Sequence, residues 1–200
     1  MRAAVICLAL CAAGAGPVQA EGVPDTARPA VDRCLRHLRA CQLSDGAFAQ
    51  VSPQGRPGAP VWIVPYFSHF AALALLAHVE AGGPADDRTR AGRWFDWCAA
   101  HQNVAGYWND FEGTFSDYRD TGRVDAWDSS AALFLLAADR FRQAGGALAA
   151  AHLESARRAV ACLAGLTDPA DGLTTMLVRT DICSCSRLGW RTRLHPIKSG

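Results

Sequence analysis

Apolar residues in the first 165 positions recur mostly at three- and four-residue spacing, in blocks separated by glycine, proline and aspartate, the period of helices that each bury one face. The first block predicts a helix from about Pro29 to Leu43, with Pro29 tolerated in the first turn and Val31, Cys34, Leu35, Leu38 and Gln42 on one face. Ser44-Asp45-Gly46 stops it, and Ser52 to Pro60, rich in glycine and proline, reads as a loop. Ile63 to Val79 is an almost continuous apolar run. It is too long for a strand and too short to span a bilayer, so it predicts a helix buried nearly all round. Gly82-Gly83-Pro84 closes that helix, and Asp86-Asp87 are placed to cap the next, which runs to about Gln102 with Trp94, Phe95, Cys98 and His101 inward. A second long loop spans Asn103 to Ala126. Asp128 reads as the cap of a helix carrying Ala131 to Phe141, Gly145-Gly146 ends it, and a fifth helix covers about Leu148 to Leu163. No strict alternation longer than four residues competes with this reading before the C-terminal tail, so the expected fold class is all-α.

The blocks repeat. Cys41-Gln42 with Gly46-Ala47-Phe48 stands 60 positions before His101-Gln102 with Gly106-Tyr107-Trp108. Ala71-Ala72-Leu73 with Leu75-Leu76-Ala77 stands 60 before Ala131-Ala132-Leu133 with Leu135-Leu136-Ala137. A unit of that length holding two helices cannot bury its apolar faces alone, so helical hairpins must stack side by side, in an open solenoid or a closed ring.

Residues 1 to 20 look like a secretory leader: Arg2, an apolar stretch from Ala3 to Ala15, and Val18-Gln19-Ala20 as a small-residue cleavage site. The expectation is an exported protein, periplasmic or extracellular, with no membrane association after cleavage. Beyond the leader, 19 basic and 19 acidic residues cancel, which gives no electrostatic reason to expect nucleic acid as a partner. The distribution is uneven. Residues 21–172 carry 18 acids and 14 arginines, whereas 173–200 carry five bases and one acid and lose the helical texture. This irregular basic tail reads as a disordered tail, as the product of a shifted reading frame, or as an ordinary extension. Export permits disulfides, but Cys34 and Cys41 lie about 10 Å apart along one helix, beyond the roughly 7 Å Cα limit for a bridge. No Cys/His set at metal-binding spacing accompanies Cys183 and Cys185, so no metal and no cofactor is expected.

Val64-Pro65-Tyr66-Phe67 entering a buried helix, then Gly113-Thr114-Phe115-Ser116-Asp117-Tyr118, then Trp127-Asp128-Ser129-Ser130-Ala131-Ala132 entering another, resemble the bacterial six-hairpin glycosidase-like proteins. The likeness covers roughly residues 31 to 174. It implies helical hairpin repeats forming part of an (α/α)6 toroid over residues 21–172, and kinship with proteins that hydrolyse polysaccharides. Gln42-x-x-x-Gly46-x-Phe48 and Gln102-x-x-x-Gly106-x-Trp108 are also similar to the Gln-Trp repeats of terpene cyclases, although the Asp-x-Asp-Asp acid motif of those enzymes is absent. The pairs read as structural staples. A closed ring of six such hairpins needs about twice this chain, so a truncated toroid is expected, inactive if the missing half is essential. Its open hairpin edges would leave apolar surface for self-association.

Six acids, Asp110, Glu112, Asp117, Asp120, Asp125 and Asp128, are interleaved through the second loop and into the start of the next helix with Tyr107, Trp108, Phe111, Phe115, Tyr118 and Trp127. Aromatic faces stack on pyranose C–H surfaces while carboxylates bind hydroxyls, so the loop suits a carbohydrate. Two carboxyls, one protonated and one ionised, are what glycoside hydrolysis needs, and apolar neighbours raise an acid's pKa by desolvation. Asp110 or Glu112 is the candidate general acid, and Asp117 or Asp128 the candidate base. Tyr66, His69, Trp108, Tyr118 and Trp127 are the candidate substrate-binding residues. Asp128 also reads as a helix cap, Asp117 as a turn residue and His69 as a packing residue. The alternative to an enzyme is a non-catalytic helical-repeat module that binds a glycan or a protein segment.

Overall fold

The computed structural model describes residues 26–50, 60–124 and 127–167. The expected leader, most of the first loop, Asp125, and the basic tail with Cys183 and Cys185 lie outside the described residues. Five helices hold most of the rest: α1 Arg28–Cys41, α2 Pro65–Glu80, α3 Ala85–His101, α4 Trp127–Gln143 and α5 Ala150–Leu166. The protein is predominantly helical, as the periodicity requires. It is not purely so. Strands β1 Val61–Ile63, β2 Phe111–Thr114 and β3 Asp117–Asp120 form one antiparallel sheet in the order β1-β2-β3.

That sheet corrects the reading of 103–126 as an irregular loop and of Ile63 as the start of a helix. Its strands are three and four residues long, too short to display an alternation. Cross-strand pairing holds them, with Ile63 opposite Phe111 and Phe111 opposite Asp120. Val61, Ile63 and Phe111 turn one face of the sheet into the core.

α2 starts where Pro65 occupies the first turn, its missing N–H being an orphan there in any case. Its residues 71–76 are all buried, which makes it the central helix. α2 and α4 run parallel, with His69 beside Ser130 near their N-terminal ends and Glu80 paired to Arg140 at 2.6 Å near their C-terminal ends. α3 and α5 pack side by side behind them, each connected to its inner helix by a glycine turn. The two turns match: the Gly83 N–H donates to the His78 carbonyl, and the Gly146 N–H to the Phe141 carbonyl, both at 2.8 Å. These are the six-to-one bonds that satisfy orphan carbonyls at helix ends.

The Gln/aromatic pairs behave as staples. Gln42 Nε2 donates to the Gly46 carbonyl at 3.1 Å and to the Arg90 carbonyl of α3 at 2.8 Å. Gln102 Nε2 donates to the Gly106 carbonyl at 2.9 Å and to the Ser155 carbonyl of α5 at 3.0 Å. Each glutamine thus closes its own turn and fastens it to the side of the next outer helix. Gly46 and Gly106 have φ of 105° and 92°, and a Cβ on either would run into the Arg93 or Arg158 carbonyl. The aromatics that follow, Phe48 and Trp108, are buried.

Neither expected aspartate cap is one. Pro84 is the N-cap of α3, and Asp87 lies inside the first turn with its side chain fully buried. There it receives Arg39 of α1 through two 2.7 Å bonds, Nε to Oδ1 and Nη2 to Oδ2, and His78 Nδ1 of α2 at 2.7 Å. Burial alone would raise the Asp87 carboxyl, but the bonds from Arg39 and His78 outweigh it and hold the acid below its usual value. One carboxylate therefore joins three helices. Asp128 likewise falls in the first turn of α4, where a negative charge complements the positive end of the helix dipole.

Candidate functional site

β1 leads directly into α2, and the β2–β3 hairpin precedes α4, so the sheet stands at the N-terminal end of the two parallel inner helices. The hairpin is fixed at its base by the Asp110 N–H donating to the Arg123 carbonyl at 2.8 Å and by Thr121, whose N–H and Oγ1 both donate to the Asp110 carbonyl at 2.9 Å. It is fixed to the helices by Tyr118. The Tyr118 hydroxyl accepts from Trp97 Nε1 of α3 at 2.9 Å and donates to Asp45 in the turn after α1. Burial, then the Asp45 carboxylate, pushes the phenol well above its ordinary pKa.

The register divides the sheet's residues by face. Glu112 stands opposite Trp62 on one side and Arg119 on the other, and Thr114 stands opposite Asp117. Trp62, Glu112, Thr114, Asp117 and Arg119 therefore share the face turned away from the core. Trp62 is 48% exposed, and Asp117 and Arg119 are exposed. Glu112 and Asp117 are diagonal neighbours across the hairpin, a relation that sets such positions about 7–8 Å apart. At the first turn of α2, next to β1, Phe67 is 46% exposed, and Tyr66 lies edge-on to Phe67 and Phe70 with ring centres 5.5 and 4.9 Å away.

Of the residues singled out from the sequence, Glu112 and Asp117 are brought together, and Tyr66 is placed at the same end of the molecule. The others have different positions. Asp110 is buried at the hairpin base, only 3% exposed. Trp108 and His69 are core residues: Trp108 Nε1 donates to the Cys98 carbonyl at 2.8 Å, and its ring is edge-on to His69 at 5.0 Å. His69 also contacts Trp94 at 5.1 Å, and its Nε2 lies 3.1 Å from Ser130 Oγ. Burial pushes His69 down to a pKa of about 3, so the ring is neutral. Tyr118 is half-buried with its hydroxyl committed at both ends, a positioning role rather than a ligand contact. Asp128 is partly exposed and accepts from Ser129 Oγ at 3.3 Å. The side chain of Trp127 is outside the described residues.

Two features of the site were not read from the sequence. Arg119 lies seven and Trp62 50 residues from Glu112 along the chain, and no local pattern joins either of them to it. Only the pairing register, which places Trp62 and Arg119 on either side of Glu112, brings them into one face.

Among the described residues, no group of three or more His, Cys, Asp or Glu side chains could hold a metal ion, and no helix is long and apolar enough to cross a membrane. No protein-family model matches the chain, and neither a curated protein nor a solved structure matches it significantly.

Proposed function

We propose that this chain is an exported, glycosidase-like helical-repeat protein, an arc of an (α/α)6 toroid, that takes a carbohydrate on the outward face of its sheet. The observation that carries the reading is the hairpin register: it sets two carboxylates, Glu112 and Asp117, on one accessible face beside the exposed indole of Trp62. An indole offers a stacking platform for a pyranose, and carboxylates with Arg119 offer hydrogen bonds to its hydroxyls. The paired turns and glutamine staples support the toroidal arc, because each hairpin is fastened to the next in the same way.

Hydrolysis, in this reading, uses Glu112 as general acid and Asp117 as the base that activates water. The diagonal spacing of about 7–8 Å is between the two backbone positions, and inversion requires their side chains to hold the carboxyls roughly 6.5–9.5 Å apart with room for that water. A second reading, binding without turnover, is favoured by the openness of the face, since Trp62, Asp117 and Arg119 are all exposed.

Affinity electrophoresis of the full chain through a panel of soluble polysaccharides, with reducing-sugar release measured in parallel, tests both. Retardation by at least one glycan, lost in Trp62→Ala, is expected. Turnover abolished in Glu112→Gln with binding kept supports the enzyme, and binding without turnover in the unmodified chain supports the module. No retardation by any glycan overturns the site.

A further inference from the structure

α3 and α5 hold the same place in successive hairpins, and their staple contacts fix the correspondence: Arg90 matches Ser155 and Arg93 matches Arg158, each 65 positions on. The N-caps keep that offset, Pro84 for α3 and Ala149 for α5. Asp87, the buried hub in the first turn of α3, is therefore matched by His152 in the first turn of α5, which is also buried. Both reach to the preceding outer helix. Asp87 takes Arg39 of α1, and His152 Nε2 lies 2.8 Å from Asp96 Oδ1 of α3.

The two N-caps differ in one group. Proline has no N–H, so Pro84 asks nothing of Asp87. Ala149 has one, and no side-chain oxygen with which to cap its own helix. Its N–H donates to His152 Nδ1 at 3.1 Å, the half of a capping box in which the third helical residue reaches back to the N-cap. A backbone N–H only donates, so Nδ1 is an acceptor and carries no proton. The ring is then the neutral tautomer with its proton on Nε2, donated to Asp96.

A second proton has one place to go, Nδ1, and there it would meet the Ala149 N–H head on. The imidazolium would also stand at the positive end of the α5 dipole. Asp96 pulls the other way, since its exposed carboxylate holds a charged ring as well as a neutral one. Among the described residues it is the one charged group within hydrogen-bonding distance of the ring. The other neighbour from α3 is Phe95, its ring centre 5.6 Å away, while Arg88 is turned to the Ala144 carbonyl. On α4, Arg142 is exposed, and on α5 itself Glu154 and Arg157 pair with each other. We propose that His152 is a proton-operated catch on the N-terminus of α5. Neutral, it ties the turn between α4 and α5 to α3. Protonated, it keeps Asp96 and releases the Ala149 N–H, so the first turn of α5 opens while the rest of the helix stays in place. The catch is independent of the carbohydrate reading.

Nitrogen NMR of the full-length chain labelled in histidine, with amide exchange followed at Ala149, tests the catch. At about pH 8, above the span in which histidines change charge, His152 should show a protonated Nε2 and a bare Nδ1. Between about pH 8 and 5 Nδ1 should gain a proton. As it does, the protection of the Ala149 amide, corrected for the intrinsic pH dependence of exchange, should fall roughly five- to tenfold, the scale of one lost helix cap. The Ala159 amide, in the middle of α5, should not follow. His152→Gln offers the same two bonds, an acceptor for Ala149 and a donor for Asp96, on a group that does not titrate. In that variant the protection of Ala149 should stay level across the same span. A proton on Nδ1 at the upper end, an Nδ1 still bare at the lower end, protection that holds while Nδ1 is protonated, or the same loss in His152→Gln overturns the proposal. The first three are read on the unmodified chain and decide the matter even if the variant fails to fold.

Discussion

Gln102 donates to the Ser155 carbonyl from one helix end to the flank of the next outer helix, and Gln42 makes the same bond to Arg90. The two staples differ in burial. Gln102 is 8% exposed, and its Oε1 has no partner among the described residues, whereas Gln42 Oε1 accepts from Arg93 Nη2 at 3.0 Å in a more open setting. Removing the amide leaves the Gly106 and Ser155 carbonyls short of a donor in the buried case.

Gln102→Ala should therefore cost about 2–4 kcal/mol, two buried acceptors each losing a bond worth roughly 1–2 kcal/mol. Gln42→Ala should cost less, because water can reach the vacated carbonyls. Thermal unfolding of the two variants in the same buffer gives the order. Equal losses would show that the second staple is no more buried in solution than the first.

The staples were legible in the sequence because their parts are local: a glutamine, a glycine four residues on and an aromatic two beyond that. The repeat, the five helices and the buried run of α2 were legible for a similar reason, since apolar period and turn residues are written within each element. The sheet was not. Trp62, Glu112 and Arg119 are 50 and seven residues apart in the chain, and what unites them is a register set by backbone pairing between short segments. In the sequence Asp87 looks like a cap because an acid ahead of an apolar helix does so from either of two positions, and its partners Arg39 and His78 come from two other helices. Trp108 reads as a ligand residue because aromatic rings near acids suit a sugar, and His69 reads either as a ligand residue or as a packing one. The chain spends those rings on its own core.

Asp87 predicts a steep penalty for losing either side of its ion pair. Asp87→Ala strands Arg39 and His78 between three helices. The cost for removing one partner of a buried pair is about 3–5 kcal/mol, a large part of the total stability of a domain this size. Arg39→Met keeps the packing of the side-chain stem but leaves the carboxylate with His78 alone, so it should also destabilise strongly. The double variant Arg39→Met/Asp87→Leu should recover part of the loss, since no buried charge then remains. Denaturant unfolding of the three variants measures the coupling, and strictly additive losses would show that the pair contributes nothing as a pair.

Thiol chemistry should separate the described cysteines. Cys98 is fully buried, and burial raises its pKa well above the ordinary range, while Cys41 is pushed up by burial to about 11. Cys162 is raised by burial and by Asp128, yet it remains partly exposed, as does Cys34. The thiolate is the reacting species. Iodoacetamide at neutral pH should therefore alkylate Cys34 first, Cys162 more slowly, and Cys41 and Cys98 only on unfolding. Peptide mapping after timed labelling checks the order, and early modification of Cys98 would place it outside the core.

His69 gives the fold a predictable weakness toward acid. In the unfolded chain it titrates near the ordinary histidine value of about 6.5, and in the folded chain burial holds it down at about 3. Its folded-state pKa is depressed, so above about pH 6.5 both states carry a neutral ring and the burial costs nothing in protons. As pH falls below that point the unfolded state binds a proton that the folded state refuses, and stability drops by up to about 1.4 kcal/mol per pH unit until the folded ring can also be protonated. His69→Phe keeps an aromatic ring among Trp94, Trp108 and Phe134 but cannot titrate. It should start from a lower stability at neutral pH, because the contact with Ser130 is lost, and then fall less steeply than the unmodified chain between about pH 6 and 4. Urea unfolding at several pH values compares the slopes. Parallel curves would mean that the ring is protonated, or reached by water, in the folded protein.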